Sequence, residues 1–111
     1  MKPKITFQEF LEIEQKLEIK FGEIITAEFL PKNNKMLQLT VDFGEEEKRS
    51  VVTNIGKQVG DVAELVGCVL PFITNLEPSI ISGINSTAMI MIGQTETGIE
   101  LKNFSNGTKL L

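Results

Sequence analysis

Five basic side chains lie between positions 20 and 49 and could bind anionic groups. They are Lys20, Lys32, Lys35, Lys48 and Arg49. Lysine and arginine form charge-assisted hydrogen bonds with phosphate oxygens, and strand pairing could bring these residues onto one face of a sheet. Solvated surface lysines are the open alternative. The whole chain has 11 Lys and Arg against 15 Asp and Glu, a net charge of −4. This balance argues against a nonspecific nucleic-acid binder with a broad basic footprint.

Residue types needed for most catalytic and metal sites are scarce. The chain has no His and one Cys, which excludes Ser–His and Cys–His nucleophiles, histidine metal sites, intrachain disulfides and cysteine metal clusters. Cys68 lies in an apolar stretch and is expected to be a buried structural thiol. Glu45, Glu46 and Glu47 follow Gly44 and predict a solvated turn rather than a cation site. We therefore expect no catalytic residue, no metal and no cofactor, and predict that the protein is not an enzyme.

An amphipathic helix is predicted near the N-terminus, over residues 6–16. Thr6 and Glu9 have the spacing of a capping box. An apolar stripe follows the helical period; it consists of Phe7, Phe10, Leu11, Ile13 and Leu17. The stripe could pack on the rest of its own chain or on a second subunit, and the pattern does not distinguish the two.

The remaining sequence predicts an all-β domain. Apolar residues alternate with polar ones or form short runs, which predicts five strands over residues 17–29, 37–43, 49–55, 69–73 and 87–92. Gly22 should bend the first strand, and Pro71 should lie at an edge or bulge. A short helix is predicted over 61–67, a long loop over 75–85 and a β extension over 94–111. Three strands, a helix and two strands are typical of a five-stranded oligonucleotide-binding (OB) barrel; a generic small barrel is the alternative.

Length and composition indicate one domain. The chain has 111 residues, of which 41% are apolar and 23% charged, so one core is expected across residues 1–111. Its parts are the helix over 6–16, the barrel over 17–93 and the extension over 94–111. The longest apolar run is far shorter than a membrane span, and the first residues do not resemble a signal peptide. We therefore expect a cytoplasmic protein without membrane association.

Short motifs along the chain resemble those of a known family. Leu17–Ile24 is similar to the Val-Asp-Ile-Arg-Val-Gly-x-Ile opening of the tRNA-binding domain found in methionyl-tRNA synthetases, free-standing tRNA-binding proteins and an export-related chaperone. Leu39–Gly44, Val51–Ile55 and the Gly107–Leu110 ending continue the resemblance in register. Each motif is weak, but their shared order and spacing across the chain are specific.

The resemblance implies an OB barrel, a function and a set of contacts. It implies a homodimer joined by the N-terminal helix and C-terminal segment, with Phe7, Phe10, Leu11 and Leu110 at the interface. It also implies a noncatalytic protein that binds tRNA mainly through backbone and shape contacts. The residues predicted to contact RNA are Lys20, Lys32, Asn34, Lys35, Lys48, Arg49, Thr53, Asn54 and Ser86.

Several departures from the family pattern weaken the RNA prediction. Ser79 and Ile80 stand after Pro78 where the family carries basic residues, and each lost cation removes one phosphate contact. We therefore expect tRNA binding to be weak. The apolar loop over 78–82 suits an apolar partner, which leaves open a protein- or peptide-binding, chaperone-like dimer of the same fold. The partner would then be a client polypeptide; an aminoacyl-tRNA synthetase is a further candidate partner.

Overall fold

The computed structural model describes residues 1–32, 35–95, 98–100 and 104–110. The first element, α1, covers Phe7–Glu14 and begins as predicted: Thr6 accepts from the Glu9 backbone N–H, and the Glu9 carboxylate accepts from the Thr6 backbone N–H. No residue of α1 is buried. In this single chain, the apolar stripe therefore stays largely exposed.

The described residues after α1 contain nine strands. They are β1 Ile19–Phe29, β2 Leu37–Asp42, β3 Arg49–Thr53, β4 Val69–Ile73, β5 Ser79–Ile81, β6 Ile84–Ser86, β7 Met89–Ile90, β8 Gly93–Thr95 and β9 Gly98–Glu100. Five form one antiparallel sheet in the order β3-β2-β1-β4-β7. This is the order of an OB barrel, with β7 as its fifth strand, so the predicted all-β fold is confirmed.

The barrel closes between β3 and the segment that contains β6 and β7. The Thr87 N–H lies 3.4 Å from the Ser50 carbonyl oxygen, and the Val52 N–H donates to Ser86 Oγ at 2.9 Å. Here the hydroxyl of Ser86 accepts the hydrogen bond that a backbone carbonyl of a neighbouring strand would usually accept. The alternating apolar residues of the strands point inward; the largest fully buried side chains among the described residues are Ile24, Leu37, Leu39, Val41, Val51, Leu65 and Phe72.

Gly22 of β1 is a site of close packing. The register of β1 against β2 shifts between Ile24 and Thr26, not at Gly22. A Cβ at Gly22 would lie 2.5 Å from Val41 Cγ1 and 2.6 Å from a carbon of the Phe43 ring. The glycine is therefore needed because an aromatic ring packs directly against the strand backbone.

Pro71 also lies elsewhere than predicted, since β4 is an inner strand between β1 and β7. The Pro71 carbonyl accepts from the Met91 N–H at 3.0 Å. The amide nitrogen of a strand residue faces the same side as its carbonyl, so the missing donor of Pro71 faces the side of β7. Because β7 ends at Ile90, the missing donor lies where the pairing of β4 with β7 ends.

The segment predicted as a long loop contains a hairpin. Strands β5 and β6 pair through Ser79 and Ser86, joined by Ser82 and Gly83 at φ of 51° and 78°, as in a type I′ turn. The predicted fifth strand over 87–92 is correspondingly short. The predicted helix over 61–67 is a single 3₁₀ turn, Val62–Glu64, in which Asp61 accepts from the Ala63 N–H at 3.0 Å.

The C-terminal segment returns to the barrel after the β8–β9 hairpin. The Phe104 ring lies 4.7 Å from the Phe21 ring, centroid to centroid. The Phe104 N–H donates to the Val69 carbonyl at 3.2 Å, and the Asn106 side chain donates to Glu23 at 3.0 Å. Within the described residues, no helix has the length and apolar character needed to cross a membrane.

Gly22→Ala is expected to destabilise the protein by about 1–3 kcal/mol, because the added methyl group overpacks the contact with Phe43. The measurement is the free energy of unfolding in urea at fixed protein concentration. Gly60→Ala is the matched control, since a Cβ there meets no atom within 4 Å, and it should cost no more than about 0.5 kcal/mol. Equal effects of the two substitutions would contradict the packing argument.

Candidate nucleic-acid interface

Two of the predicted phosphate ligands belong to an ion-pair network, the Glu45 cluster, formed by Glu18, Lys20, Glu45 and Arg49. Arg49 donates from Nε and Nη2 to the two oxygens of Glu45 at 2.8 and 2.7 Å. Lys20 Nζ lies 3.4 Å from Glu45 Oε2 and 3.9 Å from Glu18 Oε1. The two cations are thus matched by two carboxylates.

Other contacts fix the Arg49 side chain in this cluster. Its Nη1 donates to the Thr74 carbonyl at 2.7 Å, and its guanidinium carbon lies 5.3 Å from the centroid of the Phe43 ring. Hydrogen bonding to Arg49 lowers the pKa of Glu45, and the same bond raises the pKa of Arg49. A phosphate that binds Arg49 must therefore compete with a bidentate carboxylate.

Three other predicted residues meet around one concave surface, which we call the hairpin groove. It has a volume of about 500 Å³ and lies between the end of β3, the β5–β6 hairpin and β7. Its polar side chains are those of Thr53, Asn54, Glu77, Ser79 and Ser86, and its apolar ones include Met36, Ile81 and Met89. Thr53 and Ser86 are buried, whereas Asn54, Glu77 and Ser79 are exposed.

Three exposed lysines lie in the two loops that meet at Gly56 and are called the lysine rim: Lys32, Lys35 and Lys57. The Gly56 N–H donates to the Lys35 carbonyl at 2.7 Å, so the loop before β2 contacts the loop after β3. A Cβ at Gly56 would lie 2.6 Å from that carbonyl oxygen, which makes glycine necessary for this approach. All three lysines are exposed. They are close in sequence to Met36 and Ile55, which line the groove.

Lys57 was absent from the predicted set. The available signal was its position directly after Gly56, since a glycine often marks a place where another backbone approaches closely. Lys32 has a positive φ of 58°, typical of a tight turn.

Lys48 lies apart from the hairpin groove. With Glu47, Ser50, Asn85 and Thr87 it lines a separate shallow depression. Successive residues of a strand point to opposite faces, so Asn85 and Ser86 of β6 belong to different surfaces. Asn34 lies outside the described residues. The structure therefore distributes the described members of the predicted RNA-contact set over the Glu45 cluster, the hairpin groove, the lysine rim and this depression.

The residues predicted for the dimer interface are largely exposed. The Phe7 and Phe10 side chains are 75% and 48% exposed, Leu110 is exposed and Leu11 is half-buried. The rings of Phe7 and Phe10 lie 6.3 Å apart and form one apolar surface. A second concavity, of about 590 Å³, lies between β1, the end of β2 and residues 106–110.

Comparison with known proteins agrees with this small barrel and its OB topology. The family described as a putative tRNA binding domain matches residues 19–108, and this chain belongs to that family. A methionine–tRNA ligase of Methanococcoides burtonii is 39% identical over 92 residues, which cover 83% of this chain and 13% of that enzyme. A methionine–tRNA ligase of Methanospirillum hungatei is 42% identical over 89 residues, 80% of this chain and 12% of the enzyme. This chain thus spans about an eighth of the length of these relatives.

Two solved structures are similar over nearly their whole length. A protein from Pyrococcus horikoshii, described as related to methionyl-tRNA synthetase (MetRS), has a TM-score of 0.76 and 30% identity, covering 96% of this chain and 94% of that one. The chaperone CsaA of Bacillus anthracis has a TM-score of 0.72 at 24% identity, covering 98% and 100%. The second likeness is one of fold.

The Glu45 cluster predicts a pH dependence of stability. The pKa of Glu45 is lowered below its ordinary value of 4.5 in the folded protein, so its contribution is complete above that value and is lost as pH falls through the folded pKa. Wild-type protein should therefore lose its stability advantage over Glu45→Gln on acidification. The measurement is the free energy of unfolding of both proteins from pH 7 to pH 3. A difference that stays constant with pH would contradict the assignment.

Proposed function

We propose that this chain is a noncatalytic tRNA-binding protein that acts as a homodimer and contacts RNA mainly through its backbone and shape. The observation that carries the RNA part is the lysine rim, whose three exposed cations lie in the loops that also carry Met36 and Ile55 of the hairpin groove. Membership of the tRNA-binding domain family supports the choice of ligand. Contacts between lysine side chains and phosphates position a nucleic acid without reading its base sequence.

The charge distribution supports a local RNA surface on an acidic chain. Lys20 and Arg49 have carboxylate partners in the Glu45 cluster, so they contribute less to phosphate binding than their charges suggest. Lys32, Lys35 and Lys57 are more exposed. We propose that Lys35 and Lys57 are principal phosphate ligands, because the Gly56 contact holds their two loops together. Lys48 is a separate, weaker contact.

The dimer part of the proposal rests on α1. An amphipathic helix that buries no residue in its own chain leaves its apolar stripe to water, which is unfavourable. A second copy that covers Phe7, Phe10 and Leu11 would remove this cost, and Leu110 supplies further exposed apolar surface. A small domain also gains core by association.

The noncatalytic part rests on the residue types available. The chain has no histidine, and burial raises the pKa of the Cys68 thiol, which disfavours the nucleophilic thiolate. The ligase relatives are about eight times longer than the matched region, so their chemistry is not assigned to this chain. A synthetase that shares tRNA with this protein is a proposed partner.

A tRNA titration tests the phosphate assignment. The logarithm of the association constant should fall linearly with the logarithm of salt concentration, and Lys35→Ala or Lys57→Ala should each reduce the slope by about 0.7–0.9. Different tRNAs should be weakened about equally, as expected for backbone contacts. Lys4→Ala, in the segment before α1, is the control and should leave the slope unchanged.

No binding of the wild-type protein to tRNA at low salt would overturn the RNA proposal. Unchanged slopes in both lysine variants, with binding retained, would overturn the assignment of the lysine rim.

The dimer is tested by light scattering at micromolar concentration. The wild-type protein should have about twice the chain mass of 12.3 kDa. Phe10→Asp should yield monomer, because it places a charge on the apolar stripe. Glu12→Gln, on the polar side of α1, should remain dimeric and controls for changes in helix charge. A monomeric wild-type protein under these conditions would contradict the proposal.

A second candidate function is peptide binding, favoured by the tip of the β5–β6 hairpin. Ile80 is 75% exposed there, and Leu76 and Met89 are exposed nearby in the chain. Such a surface suits an apolar segment of a client polypeptide. Binding of this kind would persist at high salt, whereas phosphate binding would not.

A further inference from the structure

We propose that the hairpin groove holds the base of an unpaired nucleotide with an exocyclic amino group, and that Glu77 accepts a hydrogen bond from this group. The proposal deepens the RNA-binding function and rests on it. The lysine rim would hold the adjoining phosphates, so a nucleotide would bind with its base in the groove and its backbone outside.

The polar side chains of the groove have hydrogen-bonding capacity to spare. Within the described residues, the side chains of Thr53, Asn54 and Ser79 take part in none of the hydrogen bonds that we observe. Ser86 Oγ accepts from the Val52 N–H at 2.9 Å, which leaves its O–H available as a donor. These groups are uncharged donors and acceptors, the kind that pair with the edges of unstacked bases.

The apolar part of the groove suits the faces of a base. Met36, Ile81 and Met89 supply flat or adaptable apolar surface, and methionine adapts well to irregular ligands. The volume of about 500 Å³ lies within the range of small-ligand sites, about 300–1,000 Å³. The side chains that line the groove include no aromatic ring, so hydrogen bonds rather than ring stacking would decide which base binds.

The distribution of charge sets the orientation of the nucleotide. Glu77 lines the groove and forms no ion pair within the described residues. Its carboxylate repels a phosphate and attracts an amino group, whereas the lysine rim attracts the phosphate. The base therefore enters the groove, and the backbone runs along Lys35 and Lys57.

The same carboxylate predicts base selectivity. Cytosine and adenine carry amino groups that a carboxylate or amide oxygen can accept from, whereas uracil presents a carbonyl oxygen at the equivalent position. Uracil would place its carbonyl oxygen opposite the Glu77 carboxylate, and two acceptors cannot form a hydrogen bond. We therefore expect cytidine and adenosine to bind better than uridine. The unpaired 3′ end of tRNA, cytidine-cytidine-adenosine, supplies such nucleotides.

The test is a fluorescence titration of the full chain with oligocytidylate, oligoadenylate and oligouridylate of equal length at low salt. The cytidine and adenosine oligomers should bind about fivefold or more tightly than the uridine oligomer. Glu77→Gln should abolish this preference, because an amide can also donate to uracil. Glu64→Gln removes a negative charge outside the groove and is the matched control; it should keep the preference.

A second arm locates the nucleotide within tRNA. Removal of the three 3′-terminal nucleotides should weaken tRNA binding to the wild-type protein, and unchanged binding would overturn the placement of the 3′ end in the groove.

The outcomes separate this inference from the proposed function. Retained tRNA binding with equal affinity for all three oligomers would overturn the groove assignment alone. Loss of the preference in Glu64→Gln as well as in Glu77→Gln would overturn the role of Glu77. No binding of tRNA or of any oligomer at low salt would overturn the RNA function itself. Displacement of bound oligomer by an apolar peptide, with equal affinity among oligomers, would assign the groove to peptides instead.

Discussion

The ring of Phe43 lies against the backbone of β1 because position 22 has no side chain. From there, the ring meets Phe72 of the core edge-on, with centroids 5.2 Å apart, and its face supports the Arg49 guanidinium. Arg49 then joins the turn after β2 to the end of β4 through Glu45 and Thr74. The absence of a side chain at Gly22 therefore allows one ring, Phe43, to contact both the barrel core and the charged surface at the start of β3.

This arrangement explains how an acidic chain can offer a basic surface at one place. The ion pairs seen among the described residues meet at Glu45 and Glu18, and they engage Lys20 and Arg49. Exposed lysines also lie in the loops that meet at Gly56. The distribution of charge over the surface, rather than the net charge, determines where an anionic polymer can approach.

Local rules were sufficient for much of the fold. The capping box of α1 and the strict alternation of β2 are local, and the barrel order followed from the sequence of elements. The β5–β6 hairpin was missed because Ser82 is not a typical residue for a positive φ, and because exposed positions on both strands hide the two-residue period. The place of Pro71 depended on the length of β7, which is a property of the tertiary structure.

The sequence predicted the residue types of the candidate site better than it predicted which of these residues lie together. Thr53, Asn54 and Ser86 were expected to act together, and the structure brings them to one groove. The engagement of Arg49 by Glu45 depends on the geometry of the six residues that connect β2 and β3, and the role of Lys57 depends on a contact between two loops. Neither has a periodic signal in the sequence.

The hydroxyl of Ser86 has a consequence for how this surface can evolve. It accepts from a β3 amide where a barrel would otherwise use a backbone carbonyl, and it also borders the groove. Alanine would keep the space but leave the Val52 amide buried without that acceptor, and a larger side chain would crowd the closure. The fold and the proposed ligand would therefore use the same oxygen atom, so changes in binding specificity would be more readily accommodated at exposed positions such as Ser79 and Asn54.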